Sequence, residues 1–391
     1  MVGSGKKVFV LSNDVVPSLG MPVAAPGLRV FGISEGLRAN GVETTTLVTR
    51  GFVDRQWLRF GTSVPHPTAP HTEIVGASKL RRYLKANAPC TAVLINSNQV
   101  DHLGGPIEGV RYVLDFFAPK MLEALYQRGE EYPGEELAAL RKRKIRAIEL
   151  ADAFLVNGKK KLPYFLGWML QADRDVRRLP VEVVNMCVPT GFSGEAGPVG
   201  DGVRFAVAGY LQSWSTLGDW VGAVEGMLGH PKMSLDLLLP WHWGGRAERS
   251  HVSKNDLDRV ARHPSVTTHG TMSFSEFQRF LTGVDVSIDL FQHNLEREYA
   301  MVTRAVVSLA CGVPVIHPPF TEVSPMISAY DAGWVIDPED AGALDKIVAV
   351  VLDDPDLVRR KKENARTLAR EVLDPSVAVG PLLKILGGFG A

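Results

Sequence analysis

Short β-rich runs alternate with helical stretches along this chain of 391 residues, and few folds are compatible with such an alternation. The run KKVFVLSND (6–14) is followed by a loop, the helical pattern LRVFGISEGLRANG (28–41) and the run VETTTLVTR (42–50). A strand, a helix that stops at a glycine and a second strand predict one βαβ unit of a parallel sheet. The alternation restarts after the glycine-rich stretch GFSGEAGPVGDG (191–202), so the sequence predicts an α/β protein with two parallel-sheet domains.

The glycine-rich stretch sets the predicted domain boundaries, and the chain length is suited to two domains. We expect residues 1–197 to form the first domain and residues 198–370 the second, with a terminal segment, 371–391, that could cross back to the first. Further strands are predicted at 91–98, 111–117, 151–158, 182–189, 203–211, 235–241, 265–270, 284–291, 313–318 and 332–337, and a long helical stretch at 119–150. Ligands bind beyond the carboxyl ends of parallel strands, so the cleft between the two domains is the predicted site.

Composition excludes several classes of protein. Hydrophobic residues at 45% and charged residues at 22% are typical of a globular chain, and a net charge of zero argues against a polybasic nucleic-acid binder. The three cysteines, Cys90, Cys187 and Cys311, lie far apart without CxxC spacing, which predicts buried thiols instead of disulfides or a zinc site. No apolar run approaches membrane-spanning length and no signal-peptide pattern opens the sequence, so we expect a cytoplasmic protein.

Charge is unevenly distributed, since residues 1–197 are net positive and the remainder is equally net negative. Within the positive half, the segment GKKKLPYFLGWML (158–170) combines lysines with aromatic and aliphatic residues. This combination is compatible with a weak peripheral membrane contact through the first domain. A buried helix flanked by solvated lysines is the alternative, and we favour it.

The segment EREYAMVTRAVVSLACGVPVI (296–316) is the strongest candidate for a binding site. Thr303 and Arg304 stand at the predicted start of a helix, and Glu296 and Glu298 precede them. A helix N-terminus and a guanidinium group both bind phosphate oxygens, while carboxylates accept hydrogen bonds from sugar hydroxyls. The pattern therefore indicates a site for a nucleoside diphosphate-sugar. A capped helix on the protein surface would have the same sequence pattern and is the alternative.

A resemblance supports the first interpretation. In order along the chain, matching segments are APGLRVFGISEGLRANGVETTTLVTRG (25–51), LDFFAP (114–119), ELADAFLVNGKKKLPYFLGWM (149–169), FAVAGYLQSW (205–214), VTTHGTMSFSEFQRFLTGVDVSIDL (266–290), SLACGVPVI (308–316) and AGWVIDPED (332–340). Together they resemble the GT-B glycosyltransferases, particularly glycosyltransferase family 4 and a bacterial subgroup with a GPGxR-type loop near the N-terminus. The resemblance implies the GT-B fold, in which two Rossmann-like domains face a central cleft.

The resemblance also implies an activity. Members transfer a hexose-like sugar from a nucleoside diphosphate-sugar to a hydroxyl group, with retention of configuration and without a metal or other cofactor. The acceptor, a small molecule or a glycan, is expected in the first domain and the donor in the second. This chain departs from the pattern, because Val307 replaces a donor-binding glutamate, and Tyr210 and Ser215 stand near the usual Arg and Lys. A noncatalytic homologue that binds a sugar nucleotide or a partner subunit, or an epimerase on the same fold, therefore stays open.

Individual site residues follow from both arguments. The predicted donor-binding residues are Gly209, Tyr210, Trp243, His269, Gly270, Glu296, Glu298, Tyr299, Thr303 and Arg304. Gly27 and Arg29 close the first loop, where they could approach an anion or serve only as a turn glycine and a surface arginine. His102 and Asp115 follow or end strands of the first domain and are the candidate catalytic groups, although a loop histidine is more often structural. No His, Asp and Glu cluster has metal-binding spacing.

Overall fold

Two parallel β-sheets organise the chain, as the alternating pattern predicts. The computed structural model describes residues 7–60, 68–128, 131–193, 202–210, 220–239 and 254–389. The first sheet has the order β3-β2-β1-β4-β5-β6-β7, with β1 (Lys7–Ser12), β2 (Thr44–Thr49), β3 (Thr72–Val75), β4 (Cys90–Ile95), β5 (Val110–Phe116), β6 (Ala153–Val156) and β7 (Val181–Val183). The second has the order β10-β9-β8-β11-β12-β13, with β8 (Val203–Ala208), β9 (Met233–Leu238), β10 (Val266–Thr268), β11 (Val286–Ile288), β12 (Val315–His317) and β13 (Gly333–Val335).

Helices connect the strands and flank both sheets. In the first domain they are α1 (Ala25–Ala39), α2 (Arg50–Phe60), α3 (Leu80–Ala86), α4 (Val100–Leu103), α5 (Lys120–Arg128), α6 (Gly134–Leu150) and α7 (Leu162–Gln171). The second domain contains α8 (Trp220–Met227), α9 (Lys254–Ala261), α10 (Phe274–Thr282), α11 (Leu295–Glu298), α12 (Thr303–Ala310), α13 (Ser324–Tyr330), α14 (Ala341–Asp353) and α15 (Pro355–Leu368). A π-helical turn (Ala369–Leu373) leads to α16 (Pro375–Ala378) and α17 (Gly380–Gly388). The helix predicted at 119–150 is two helices, α5 and α6.

Apolar strands place the core on both faces of each sheet. Strand β4 is buried along its whole length, as expected for a parallel strand covered by helices on both sides. The three cysteines are free and buried, as predicted. The strand predicted at 182–189 ends at Val183, and the following residues, including Met186 and Val188, are buried as they run toward the second domain. These residues belong to one hydrophobic cluster that also contains Leu309 of α12, so the two domains share part of their core.

The terminal segment packs against the first domain. The side-chain amide of Asn40, at the end of α1, donates a hydrogen bond of 2.8 Å to the Ser376 carbonyl oxygen. A Cβ atom placed on Gly36 of α1 would lie 2.2 Å from the Pro375 carbonyl oxygen, so this close approach requires glycine. The strands divide between the sheets at Val183 and Val203, on either side of the predicted boundary at residue 197.

A second junction joins the start of α7 to the second domain. The Lys160 ammonium donates to the Phe320 carbonyl oxygen over 2.8 Å, and the Lys161 backbone N–H donates to Glu322 Oε1 over 3.1 Å. Gly158 allows the Glu322 carboxylate to approach, because a Cβ at this position would lie 2.3 Å from the carboxyl carbon. The junction lies beside the cleft and connects its two walls.

The basic segment 158–170 forms the turn before α7 and all but the last residue of that helix. Phe165 and Met169 are fully buried, while Leu170 is 58% exposed. These positions agree with the buried helix of the favoured interpretation, but Lys161 is 1% exposed and is not one of the solvated lysines that it expected. Membrane contact stays a prediction. Within the described ranges, no helix has the length and apolarity needed to span a bilayer.

Candidate functional site

A cavity of about 350 Å³ lies between the two domains. Its charged lining residues are Asp14, Lys120, Glu123, Lys161, Glu296, Arg297 and Arg304, and its other lining residues include Asn157, Gly209, Tyr210, Thr303 and Val307. Both domains contribute to the wall, and the carboxyl ends of β1 and β8 lead into it. The cavity therefore occupies the place that the two-sheet architecture predicts for a ligand.

Helix α12 presents its N-terminus to the cavity. The helix begins at Thr303, as predicted, and both Thr303 and Arg304 line the cavity. Val302, the residue before the helix, provides no side-chain hydrogen bond to the first turn. Backbone N–H groups of a first helical turn have no acceptor within their own helix, and they carry a partial positive charge. This end of α12 can therefore bind the oxygens of an anion.

Contacts within the second domain hold Arg304 in place. Its Nε atom lies 2.8 Å from Asp289 Oδ1, and its guanidinium carbon lies 5.6 Å from the centre of the Phe291 ring. Its aliphatic part packs on Gly209, where a Cβ atom would lie 2.0 Å from Arg304 Cδ. Gly209 has a φ of +141°, so glycine is required there for both its conformation and its packing. Gly209 thus makes room for the Arg304 side chain, and it also lines the cavity.

Charges around Arg304 are balanced within the second domain. Burial alone would raise the pKa of Asp289, but the Arg304 charge and the neighbouring His317 bring that pKa below its ordinary value. His317 Nδ1 lies 3.2 Å from Asp289 Oδ2. Asp289 is therefore an anion that orients Arg304 along the cavity wall.

Only some residues of the acidic segment before α12 line the cavity. Glu296 lines it, is 2% exposed and lies 2.5 Å from Arg297 Nη2, and burial raises its pKa. The Glu298 carboxylate instead lies 2.7 Å from His293 Nε2, outside the cavity lining. The ring of Tyr299 packs 5.7 Å from that of Tyr164, also outside the lining. One of the three predicted residues in this loop is thus placed for ligand contact.

Arg29 and Asp115 contradict the roles that the sequence suggested. The Arg29 Nε and Nη2 atoms donate to the two Asp115 carboxylate oxygens at 2.7 and 3.2 Å, and both side chains are 0% exposed. Arg29 Nη1 also donates to the Asn185 carbonyl oxygen at 2.6 Å. Each side chain therefore satisfies the other inside the core, and neither is among the cavity-lining residues, so the structure does not place Arg29 or Asp115 where an anion-binding or catalytic role expects it.

Gly27 and His102 also lie away from ligand contact. A Cβ atom on Gly27 would lie 1.9 Å from the Val15 carbonyl oxygen, so this glycine allows α1 to pack against the preceding loop. His102 is exposed on the short helix α4 and is not among the cavity-lining residues. The structure therefore gives His102 no position from which to act at the cavity.

The remaining donor-side predictions have mixed outcomes. Tyr210 lines the cavity, and burial followed by the nearby Asp14 charge raises its pKa. His269 Nε2 lies 2.5 Å from Asp236 Oδ1, and Gly270 is exposed. Neither His269 nor Gly270 lines the cavity, although the next two residues, Thr271 and Met272, do. Trp243 lies outside the described residues, as does Ser215.

Sequence reasoning missed the ionisable groups in the wall of the first domain, which are Asp14, Lys120, Glu123 and Lys161. Burial raises the pKa of Asp14 to about 6, and it lowers the pKa of Lys161 to about 8. Lys161 Nζ donates to Asn157 Oδ1 over 2.6 Å and is 1% exposed. Asp14 had a usable signal, since it ends the first strand run and strand ends face the cleft. Lys161 had none, because a lysine in a basic run is usually solvated.

The described residues were compared with the side-chain groups that bind metal ions. Across the ranges that the structure describes, no three His, Cys, Asp or Glu side chains form a group that could hold a metal ion. Metal independence stays a prediction.

Comparison with known proteins identifies the fold. No protein-family model and no curated protein sequence matches the chain significantly. Among solved structures, sucrose-phosphate synthase from Thermosynechococcus elongatus is similar with a TM-score of 0.66 at 14% identity, covering 98% of this chain and 100% of that one. HepE from Anabaena, solved in complex with UDP-glucose, is similar with a TM-score of 0.63 at 13% identity, covering 98% and 100%.

TarM is also similar, with a TM-score of 0.68 at 7% identity, and the match covers 98% of this chain and 99% of that one. These structures are GT-B glycosyltransferases. At such low identity the likeness concerns the fold, and the subgroup suggested by the sequence stays a prediction. The chain therefore has the GT-B fold that the sequence predicted, with two Rossmann-like domains around a central cavity.

Proposed function

We propose that this protein is a glycosyltransferase that moves a hexose-like sugar from a nucleoside diphosphate-sugar to a hydroxyl acceptor. The observation that carries the proposal is the interdomain cavity onto which the N-terminus of α12 and the Arg304 side chain open. The second domain would hold the donor, and the first domain would present the acceptor.

The charge arrangement fits a diphosphate leaving group. Backbone N–H groups of the first turn of α12 and the Arg304 guanidinium offer several donors to phosphate oxygens on one wall of the cavity. Negative charge on the diphosphate grows as the bond to the sugar breaks, and prearranged donors stabilise that charge. Because Asp289 holds Arg304 in place at 2.8 Å, little reorganisation is required during the reaction.

Structural neighbours indicate which nucleotide to test first. HepE has been solved with UDP and with UDP-glucose, and a trehalose-6-phosphate protein from E. coli with UDP-2-fluoro glucose. We therefore propose a uridine nucleotide as the first donor candidate. Transfer without a metal, a cytoplasmic location and the lack of nucleic-acid partners remain parts of this proposal.

A second candidate function is binding without catalysis. Val307 lines the cavity as an apolar side chain where the resemblance expects a donor-binding glutamate. The loss of one carboxylate removes a hydrogen-bond acceptor for the donor, and a protein that only binds a sugar nucleotide would tolerate that loss. An epimerase that uses the same cavity is distinguished by its product.

The test combines binding with turnover. Calorimetry with UDP, GDP and dTDP should show one nucleoside diphosphate that binds well above the others. The matching nucleotide-sugars are then incubated with simple alkyl and aryl glycosides in the presence of a chelator, and products are analysed by NMR. A glycoside product supports transfer, an altered sugar nucleotide supports epimerisation, and binding without turnover supports the noncatalytic candidate. Failure of all three nucleotides to bind would refute the proposed donor site.

A further inference from the structure

We propose that His317 is a positioning residue that links the proposed diphosphate site to the junction between the domains, a role that rests on the proposed binding of a nucleoside diphosphate. His317 is the last residue of β12 and is 0% exposed. It is not among the cavity-lining residues, so it acts on a ligand only through the groups that it holds.

One nitrogen of the imidazole contacts the carboxylate that orients Arg304. Strands β11 and β12 pair in parallel, and the Asp289 backbone N–H donates to the Ile316 carbonyl oxygen over 2.9 Å. This register places Asp289 beside His317, where the two neighbouring strands end. Asp289 Oδ2 lies 3.2 Å from His317 Nδ1, while Asp289 Oδ1 lies 2.8 Å from Arg304 Nε. A single carboxylate therefore joins the imidazole to the guanidinium.

The Phe291 ring supports the same two side chains. It meets the His317 imidazole edge-on, with 5.7 Å between the ring centres and 79° between the ring planes. The guanidinium carbon of Arg304 lies 5.6 Å from the centre of the Phe291 ring. Because protein interiors are closely packed, a displaced imidazole would disturb both the carboxylate and the ring that orient Arg304.

The other nitrogen of the imidazole contacts a buried turn after β12. His317 Nε2 shares a hydrogen bond of 2.8 Å with Thr321 Oγ1. Thr321 Oγ1 also accepts a hydrogen bond of 3.1 Å from the Val323 backbone N–H, and the Thr321 N–H donates to Ser324 Oγ over 3.1 Å. These hydrogen bonds tie the conformation of the turn to the imidazole.

The same turn forms the junction with the first domain. Glu322 follows Thr321, and its Oε1 atom accepts a hydrogen bond of 3.1 Å from the Lys161 backbone N–H. Phe320 precedes Thr321, and its carbonyl oxygen accepts a hydrogen bond of 2.8 Å from the Lys160 ammonium. Contacts therefore lead from the arginine in one wall of the cavity, through the imidazole and the turn, to the opposite wall.

This chain of contacts implies a reciprocal coupling between binding and the junction. A diphosphate bound to Arg304 would hold Arg304 and Asp289 in the arrangement described above, and His317 would pass that constraint to the turn. Nucleotide binding and the contact between Glu322 and Lys161 should therefore strengthen each other. Removal of the polar atoms of His317 should separate the two.

The first test is a double-mutant cycle measured by calorimetry. His317→Phe keeps an aromatic ring and removes both nitrogen atoms. We expect it to raise the Kd of the tightest binder among UDP, GDP and dTDP by about fivefold, a coupling typical of residues in one network. In the Arg304→Ala background, the same change should alter that Kd by less than about twofold.

Two further variants control this measurement. His317→Gln keeps one hydrogen-bond donor and one acceptor, so it should recover part of the lost affinity. His230→Phe is the matched control, because it breaks a histidine–aspartate pair of the same domain outside the cavity lining, in which His230 Nε2 lies 3.0 Å from Asp345 Oδ1. The control should leave the nucleotide Kd unchanged.

The second test measures the junction itself. Hydrogen exchange over residues 158–170 is followed by mass spectrometry with and without the same nucleoside diphosphate at saturation. Nucleotide should slow exchange of the Lys161 amide in the unmodified protein and in His230→Phe, and should have no such effect in His317→Phe. Glu322→Ala should raise the nucleotide Kd about threefold, and His317→Phe should add little to that rise.

The outcomes separate this role from the proposed function. An unchanged nucleotide Kd in both His317 variants would overturn the role even if Tm falls, and so would an equal rise in Kd with and without Arg304. Nucleotide-dependent protection of the Lys161 amide that persists in His317→Phe would overturn it as well. These three results leave the proposed function intact, whereas failure of all three nucleotides to bind would overturn both.

A second route keeps the test decisive where His317→Phe does not fold. Thr321→Val removes the hydroxyl at the other end of the hydrogen bond to His317, and Thr321→Ser keeps that hydroxyl as the matched control. Thr321→Val should raise the nucleotide Kd and abolish the nucleotide-dependent protection of Lys161, whereas Thr321→Ser should do neither. Equal behaviour of the two variants would overturn the proposal.

Discussion

Each domain contains an arginine–aspartate pair that joins a helix to the carboxyl end of a strand, and the two pairs differ in what they can do. In the first domain Arg29 of α1 lies 2.7 Å from Asp115 of β5, and in the second Arg304 of α12 lies 2.8 Å from Asp289, which follows β11. The first pair is 0% exposed on both sides, whereas Arg304 remains 17% exposed and lines the cavity. The same two residue types therefore make a core ion pair in one domain and a candidate binding group in the other.

Neighbouring backbone accounts for the difference. The segment that follows β7 covers Arg29, and its Asn185 carbonyl oxygen accepts a hydrogen bond of 2.6 Å from Arg29 Nη1. Arg304 instead packs on Gly209, whose missing side chain leaves the guanidinium beside the cavity. The comparison shows that the packing around an arginine decides whether its charge can reach a ligand.

The largest effect is expected when the core pair is broken. Arg29→Met would leave the Asp115 carboxylate buried without its partner, which costs about 3–5 kcal/mol for comparable pairs. We expect a large fall in the urea midpoint and in Tm, measured by circular dichroism. The double variant Arg29→Met with Asp115→Leu should recover most of the loss, because it removes both charges. A loss below about 1 kcal/mol in the single variant would contradict the structural role of this pair.

The cavity pair should respond in binding more than in stability. Arg304→Ala should raise the Kd for the preferred nucleoside diphosphate tenfold or more, about 1.5–3 kcal/mol for a charged hydrogen bond. Arg304→Lys should be intermediate, because lysine keeps the charge and loses the planar pair of donors. Isothermal titration calorimetry measures both, and an unchanged Kd would refute the role of Arg304.

Asp14 extends the comparison to a carboxylate that has no cation within ion-pair distance in the described ranges, although the charges of Lys120 and Arg55 act on it. Its folded-state pKa of about 6 lies above the ordinary value, so its contribution favours folding at low pH and is lost as pH rises through 6. Asp14→Asn should therefore gain stability over the unmodified protein at pH 8, on the order of 3 kcal/mol, and little at pH 4. Denaturation midpoints at the two pH values test this, and an equal difference at both would contradict it.

The smallest effect is expected at the junction between the domains. Gly158→Ala would push the Glu322 carboxylate away from the Lys161 N–H, at a cost of about 1 kcal/mol for one hydrogen bond. The φ of +158° at this position adds backbone strain to that cost, so Glu322→Ala reports the hydrogen bond alone. Gly167→Ala in α7 is the matched control, because its Cβ would meet no atom within 4 Å, and it should be neutral or stabilising.

Small-angle scattering of Gly158→Ala should show a more open pair of domains than in the control. Glu322→Ala should have a similar effect, and combining it with Gly158→Ala should add little, since both variants remove the same contact. Full additivity of the two would show that the junction works differently.

Much of the fold could be predicted because its signals are local. Apolar runs marked most strands, and Gly41 marked the end of α1. Errors occurred where local signals were ambiguous. The apolar residues after Val183 have a strand-like composition, but they are buried by contact with the second domain instead of by strand pairing.

The candidate site was predicted less well. Five of the predicted residues line the cavity, namely Gly209, Tyr210, Glu296, Thr303 and Arg304. Others lie outside the lining, namely Gly27, His102, His269, Gly270, Glu298 and Tyr299. Lys161 was missed because nothing in its flanking sequence shows that it is buried, whereas the place of Asp14 at the end of the first strand run was a signal that went unused.

By itself, the sequence determined two parallel-sheet domains and a helix that begins at Thr303 beside a cleft, because strand and helix periodicities depend on residues only two to four positions apart. Tertiary structure alone decided which charges face the cavity. Asp115 meets Arg29 across 86 positions of the chain, and Asp14 approaches Tyr210 from the other domain. Burial of a charge and the shift of its pKa depend on such distant neighbours, and no local pattern encodes them.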